Sequence, residues 1–372
     1  MNWNELIKSS LHAWKEEGLG RELQVEKGIS FSHNDYLDLS RHPEILEAGV
    51  RALRDEGAGS KGSRLLGGNS KAIEAAEERI AEFFHAPSAL FFPSGYQANL
   101  GIVRAVGELA EKIYSDEKNH ASLIDAIQLT RKGKVIVPHL GWWPLLRNPP
   151  REKIFIASES VFSMDGDNVM ASGLFEFAEA TDSFLLLDEA HAAGIYGEEG
   201  RGFFEKEFSR AAVVITFGKA FGVAGAAVLC TPTVKEWLVN RARTFIYTTA
   251  PSPAIPAMVK TACDVLTKES WRGRELKDRA GKVRGILEKT GQLPFPGNEW
   301  ERVSPILPFL VPGEEKALRF CENMRKSGFD LRLIRYPTVP RGQERIRVSL
   351  NLRASAADCE NLAREMVRQW TA

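Results

Sequence analysis

Thr216-Phe217-Gly218-Lys219-Ala220-Phe221-Gly222 sets one lysine between two glycines, directly after the apolar run 211–215. A short run of this kind, rich in β-branched residues, reads as a buried strand. Gly218 and Gly222 let the backbone turn sharply and let a bulky group come close. A lysine held there, away from bulk water, has its pKa lowered and can attack a carbonyl carbon to form a Schiff base. Alone, the stretch is a weak signal and reads first as a surface lysine at the end of a strand. Its neighbours decide between the two.

Upstream, Phe184-Leu185-Leu186-Leu187 runs into Asp188-Glu189-Ala190-His191. This is a second buried strand, with an acid at its C-terminal end, where open α/β sheets place their ligands. A pyridoxal phosphate (PLP) site needs a lysine for the Schiff base and a carboxylate on the pyridine nitrogen, which keeps the ring an electron sink. Asp188 and Lys219 offer both, and their order and spacing resemble those of the fold-type I PLP enzymes. The same Asp-Glu-Ala-His tetrad also follows an apolar strand in helicases, where the acid holds Mg²⁺. That reading requires an upstream Gly-x-x-x-x-Gly-Lys-[Ser/Thr] phosphate loop. The Gly-Lys pairs at 133–134, 218–219 and 281–282 are followed by Val135, Ala220 and Val283, none of which carries the needed hydroxyl. An ATP-driven nucleic-acid remodeller is therefore set aside.

At 372 residues the chain exceeds one average domain and can bury a sizeable core. Lys plus Arg and Asp plus Glu both total 49, so no global field draws it to nucleic acid or to an acidic membrane. Cys230, Cys263, Cys321 and Cys359 are dispersed without Cys-x-x-Cys spacing, which argues against a disulfide framework or zinc site and for a reducing compartment. The N-terminus lacks a basic stretch followed by an apolar core, and no apolar run approaches membrane-spanning length. A soluble cytoplasmic protein is expected.

Residues 1–30 read as an amphipathic helix (Leu6, Leu11, Trp14) and a polar connection. A helix over 72–84 carries Ile73, Ala76, Ile80 and Phe84 on one face, with Glu74, Glu77 and Glu78 outward. Strands are expected at 89–92, 113–115, 135–137, 154–157, 184–187, 211–215 and 226–229. Helical patterns between most of them predict an α/β fold with a mostly parallel, doubly wound seven-stranded sheet. The proline-rich run 250–256 precedes one long helical stretch over 257–289. Short strands at 306–311, 331–334 and 346–349, with helices at 314–326 and 356–370, suggest a smaller C-terminal α+β domain. The expected division is an N-terminal helix and arm (1–44), a large PLP-binding domain (45–256), and a linking helix with the small domain (257–372).

Further motifs stand around this frame: Ser32-His33-Asn34-Asp35-Tyr36-Leu37, Gly59-Ser60-Lys61-Gly62-Ser63-Arg64, Pro93-Ser94-Gly95-Tyr96, His120-Ala121-Ser122 and Val161-Phe162-Ser163-Met164-Asp165-Gly166-Asp167. With Asp188, His191 and Lys219 they occur in the order seen in the α-oxoamine synthases, and over about residues 20–350 the chain resembles this family. The resemblance implies a homodimeric, fold-type I PLP enzyme that condenses an amino acid with an acyl thioester and decarboxylates the adduct. Residues 216–230 and Pro337-Thr338-Val339-Pro340 most resemble the branch that joins L-alanine to pimeloyl-CoA or a pimeloyl-carrier protein. Sibling branches take glycine or serine, or other acyl-CoA donors.

Residue by residue, Ser94, Gly95 and Tyr96 open a helix after a strand, where backbone N–H groups and the positive dipole end suit a phosphate. The same residues also suit a plain strand-to-helix turn. Thr216 can add a hydroxyl, and by resemblance Thr248, beside Thr249, reaches the phosphate from the other subunit. The resemblance stacks His120 on the pyridine ring; without it, His120 reads as a solvated loop histidine. It puts His191 on the phenolic oxygen, with Ser163 nearby. It gives Arg347 the amino-acid carboxylate, a task that suits a bidentate fork better than a lysine, with Asn34 assisting. Arg21 and Thr338 match positions touching the acyl substrate. The 59–64 loop and the 247–249 segment are expected at the dimer interface.

Two departures stand out. Ile73 occupies a position where the family often has histidine, and Gly141-Trp142-Trp143-Pro144 is unusually aromatic, either local core or part of the acyl channel. A non-catalytic PLP-binding regulator would carry an added DNA-binding module, for which no spare length is visible. Acyl chain length and donor, CoA or carrier protein, stay open at this level.

Overall fold

The computed structural model describes residues 2–293 and 304–371. After a short strand β1 (Ile29–Ser30), seven strands build the central sheet: β2 (Ser88–Phe92), β3 (Lys112–Asp116), β4 (Gly133–Val137), β5 (Ile154–Glu159), β6 (Phe184–Asp188), β7 (Ala211–Thr216) and β8 (Ala226–Cys230). All seven expected strands form, each within two residues of its expected bounds. The order is β2-β8-β7-β6-β5-β3-β4, with β3 to β7 parallel and β8 antiparallel to both neighbours. The β7–β8 connection contains no helix, and a parallel pairing would require a crossover.

Both faces of the sheet are covered. Along β7, Ala212 and Val214 enter one hydrophobic core while Val213 and Ile215 enter another. That two-sided burial explains why the strands read as continuous apolar runs and not as alternations.

Three local expectations are corrected. Glu77 points inward: its carboxylate accepts the Phe91 N–H at 2.8 Å, pairs with Lys235 at 2.9 Å, and also meets Arg64. Two cations and a backbone donor replace the water that a surface glutamate would have. The stretch 257–289 is two helices, Ala254–Lys268 and Trp271–Leu287, broken at Glu269-Ser270. Beyond the break Gly273 lies against the backbone of residues 194–195, where an added Cβ would sit 3.2 Å from the Ile195 carbonyl oxygen. The third concerns β1, which the sequence reading missed.

In the C-terminal part, β9 (Ile306–Leu310), β11 (Leu333–Ile334) and β12 (Arg345–Ser349) form an antiparallel sheet, while β10 (Phe329–Asp330) pairs in parallel with β1. The N-terminal arm is thereby stitched to the C-terminal part, and Ser349 N–H donates to Phe31 O at 2.7 Å. The segment 294–303, inside the expected 257–372 unit, lies outside the described residues. Among the described residues no helix is long and apolar enough to cross a membrane.

Candidate active site

Four neighbouring parallel strands end in polar residues: β3 in Asp116, β5 in Glu159, β6 in Asp188 and β7 in Thr216. Asp188 is nearly buried; its Oδ1 accepts the Ala190 N–H at 2.9 Å and its Oδ2 accepts from Asn99 Nδ2 at 2.7 Å. Glu159 sits opposite it in the β5–β6 register. Burial first, and the Asp188 charge second, hold the Glu159 carboxyl well above the usual range. Glu189, next in the tetrad, faces away into the core and accepts the Phe203 and Phe204 N–H groups at 2.7 and 2.9 Å. It fixes a turn, and burial pushes its pKa up to about 8.

The lysine loop is held by its own flanks. Phe217 stacks on Phe91 with centroids 5.7 Å apart, and Phe221 packs against Phe83 and Phe217. Gly222 takes φ +67° against the backbone of Leu39 and Ser40, where a side chain would collide. Phe217 N–H to Gly225 O and Val223 N–H to Phe217 O close the turn at 2.9 and 2.8 Å. Lys219 emerges from it into a cavity of about 240 Å³, whose wall also includes His120, His191, Ser163, Asn34 and Arg347. Asp188 lies beside this cavity and not in its wall. Burial lowers the Lys219 pKa to about 8, opposed by Asp188 and Glu159.

Arg347 spans the far wall. It donates to Ser163 O at 2.5 Å, Ser349 Oγ at 2.5 Å, Asn34 Oδ1 at 3.1 Å and Tyr36 Oη at 3.3 Å. The Tyr36 hydroxyl also lies 2.8 Å from His191 Nδ1. Burial lowers the pKa of His191 well below its ordinary value, and burial lowers that of His120 too, against the pull of Asp188. Both rings are thus favoured in their neutral forms.

A phosphate-bearing aldehyde fits what is here. Among the described residues Thr216 Oγ1 is buried without a partner, and Gly95, first residue of the helix Gly95–Gly107, leaves no room for a Cβ against Thr216 Cγ2. A free hydroxyl therefore sits at a helix N-terminus, as an anion cradle requires. Ser94 caps that helix by accepting the Gln97 N–H at 3.3 Å. At Gly218 an added Cβ would meet nothing within 4 Å, so space remains beside the lysine. Among the described residues the Lys219 amine has neither hydrogen bond nor ion pair; a partly buried amine without a partner suits a covalent one.

Other expected residues lie apart. The Tyr96 side chain turns to Asp125 and is half-exposed. Thr248 Oγ1 accepts from Gln97 Nε2 of its own chain at 3.3 Å. Arg21 and Thr338, both exposed, border an open groove of about 710 Å³, which shares Arg332 and Ile334 with the Lys219 cavity. Trp142 is fully buried against Phe177 and belongs to the local core, whereas Trp143, about half exposed, donates to Ala171 O at 2.8 Å; neither borders the cavity or the groove. Ile73 is buried in the main core. Sequence reasoning passed over Tyr36, Asn99 and Glu159. Asn99 and Glu159 carried one available signal, a polar residue within an apolar helix or at the end of an apolar strand.

Fold and site together define a fold-type I PLP enzyme. The chain belongs to the aminotransferase class I and II family, which matches it over residues 26–366. It is 37% identical over 360 residues to the 8-amino-7-oxononanoate synthase of Burkholderia thailandensis, covering 94% of this chain and 89% of that one. Among solved structures, the 8-amino-7-oxononanoate synthase of Francisella tularensis superposes with a TM-score of 0.79 at 27% identity, covering 92% of this chain and 97% of that one. A serine palmitoyltransferase from S. paucimobilis with a bound PLP–myriocin aldimine gives a TM-score of 0.86 over 98% and 97% of the two chains. At 24% identity this last likeness speaks for the fold alone.

Proposed function

We propose that this chain condenses L-alanine with a pimeloyl thioester, releasing carbon dioxide and the free thiol and forming 8-amino-7-oxononanoate for biotin synthesis. The observation that carries the reading is the Lys219 amine, partly buried and, among the described residues, unpartnered, in a cavity that it shares with Arg347, next to Asp188. Its relatives of known name at 37% and 27% identity support the choice of substrates.

Lys219 would hold PLP, Asp188 its ring nitrogen, His191 and Ser163 the phenolic oxygen side, and Thr216 with the 94–96 turn its phosphate. Bound PLP supplies an electron sink for the amino acid's Cα. Arg347, steadied by Asn34, takes the alanine carboxylate and so fixes which Cα bond faces the lysine. Burial, which lowers the Lys219 pKa to about 8, favours the free amine over the ammonium, and with alanine bound that amine would be the group to accept the Cα proton. Cα would then bond to the thioester carbonyl carbon, the thiolate would leave and take a proton from solvent, carbon dioxide would be lost, and Lys219 would return to Cα the proton it had accepted. Arg21 and Thr338 would line the path of the acyl chain, through the groove that meets the cavity at Arg332 and Ile334.

The enzyme is read as a cytoplasmic homodimer, with an N-terminal arm (1–44), a PLP-binding part (45–256) and a C-terminal part (257–372). The 59–64 loop and the 247–250 segment touch, Ser60 Oγ donating to Ala250 O at 2.5 Å, and beside them Leu65, Leu66 and Tyr247 stand exposed. That unburied apolar edge supports a partner copy there; sedimentation at micromolar concentration should return twice the chain mass, and a monomer that turns over would refute it. Product mass decides the reaction: alanine, glycine and serine are each offered with a series of acyl-CoAs and with pimeloyl-carrier protein. Product from alanine and a pimeloyl donor is expected. Product only from another amino acid, or only from another acyl chain, overturns the proposal.

A further inference from the structure

Asn99 lies in the middle of an apolar helix, 1% exposed, with no place in the chemistry described so far. Its carboxamide nitrogen donates to Asp188 Oδ2 at 2.7 Å and to Ser122 Oγ at 2.9 Å. Among the described residues its carboxamide oxygen is buried without a partner. Turning the amide over would aim that oxygen at the Asp188 carboxylate, so the acid dictates the orientation. The residue keeps both donors in use and leaves its acceptor unpaired, the reverse of what a merely structural asparagine would settle into.

The second donor leads onward. Ser122 Oγ receives Asn99 and lies 2.8 Å from His120 Nδ1. His120 Nδ1 also lies 3.2 Å from the Ser122 backbone N–H, a group that can only donate. Nδ1 is therefore an acceptor, the Ser122 hydroxyl proton points to it, and the ring proton of the neutral imidazole sits on Nε2. On its other side the His120 backbone N–H donates to Glu159 Oε1 at 2.5 Å. The circuit runs from Asp188 through Asn99, Ser122 and His120 to Glu159, and closes across the β5–β6 register.

We propose that Asn99 is a positioning residue of the cofactor site: one N–H aims the Asp188 carboxylate, and the other, relayed by Ser122, fixes His120 as its Nε2–H tautomer. The proposal rests on the PLP reading for the meaning of Asp188 and His120, but the tautomer can be observed without it. A single side chain would thus align the acid at the ring edge and the imidazole at the ring face. An aliphatic residue of similar volume would fill the space and align neither.

The test compares wild type, Asn99→Leu and Ser122→Ala as full-length protein loaded with PLP, labelled with ¹⁵N-histidine, and with His120→Gln identifying the His120 signals. Wild type should show Nε2 protonated and Nδ1 bare. The Ser122 backbone N–H remains in both variants and keeps Nε2–H the major form, so each should show a minor Nδ1–H population absent from wild type, and only Asn99→Leu should also release PLP about tenfold faster or more, as loss of a hydrogen bond to a charged group implies. A purely structural asparagine would lower the melting temperature and leave the tautomer unchanged. If Asn99→Leu does not fold, Ser122→Ala alone decides through its tautomer. A wild-type His120 protonated on Nδ1, or variants that keep the wild-type tautomer and PLP release rate, overturns the proposal. A wild-type chain that takes up no PLP overturns the cofactor reading, while the ring tautomer still reports on the hydrogen-bond relay.

Discussion

The Lys219 cavity and the groove beside it meet at Arg332 and Ile334, yet they are built in opposite ways. Around the cavity, Asp188, His191, Arg347, Asn99 and Glu159 are all buried, and most polar contacts run between elements far apart in sequence. Around the groove, Arg21 and Thr338 are exposed, and the walls are one arm and the edge of a small sheet. The rim is held by arginine contacts such as Arg335 Nη2 to Gly20 O at 2.6 Å. Buried polar groups bonded to one another hold one geometry; exposed ones are cheap to replace. Under the proposed function, the contrast would have the reaction type set in the rigid cleft and the acyl partner in the adjustable groove.

If that is right, the cleft must respond sharply to conservative change. Asp188→Asn should retain PLP but slow exchange of the alanine Cα proton with deuterium by about 10²-fold or more, followed by NMR, because a preorganised charge is lost. Exchange near the wild-type rate would refute the role given to Asp188.

The wall of the cleft offers a test through stability. His139 bonds Asp116 with Nδ1 at 2.9 Å and Asp167 with Nε2 at 2.7 Å, clamping the Ser163 loop to the end of β3. Burial works against its charge, but the two carboxylate hydrogen bonds prevail and raise its pKa to about 9. Because the folded pKa lies above the unfolded value, this stabilisation is full below about pH 6.5 and fades as pH rises through about 9. His139→Gln should therefore lose about 2 kcal/mol in denaturant titrations near pH 6 and progressively less toward pH 10. A pH-independent loss would mean that the histidine is neutral.

Much of this contrast was legible before any coordinates. The sheet was readable because strands buried on both faces leave unbroken apolar runs, and Lys219 because two glycines flank it after such a run. Tyr36, Asn99 and Glu159 were not, since a buried polar residue is defined by its partners, and Asn99 meets Asp188 across 89 positions. The break at Glu269-Ser270 was hidden for a related reason: neither residue is a glycine or proline, and the close approach of Gly273 to residues 194–195 is a contact between distant parts of the chain.

Smaller effects separate the two regions. Arg347→Lys should raise KM for alanine about tenfold while leaving KM for the acyl thioester nearly unchanged, since a point charge cannot reproduce the fork. In the groove Arg21→Ala should do the converse and weakly, with a rise of a few-fold in KM for the thioester, as for an exposed charge. Equal effects of either change on both substrates would erase the division.

The most direct measurement is where the cofactor is attached. PLP-loaded protein is reduced with borohydride, digested and mapped by mass. The expected result is one phosphopyridoxyl group per chain, on the peptide containing Lys219, and none in Lys219→Ala. Stable attachment at a different lysine, or no attachment in wild type, would contradict the assignment of the buried cleft as the cofactor site.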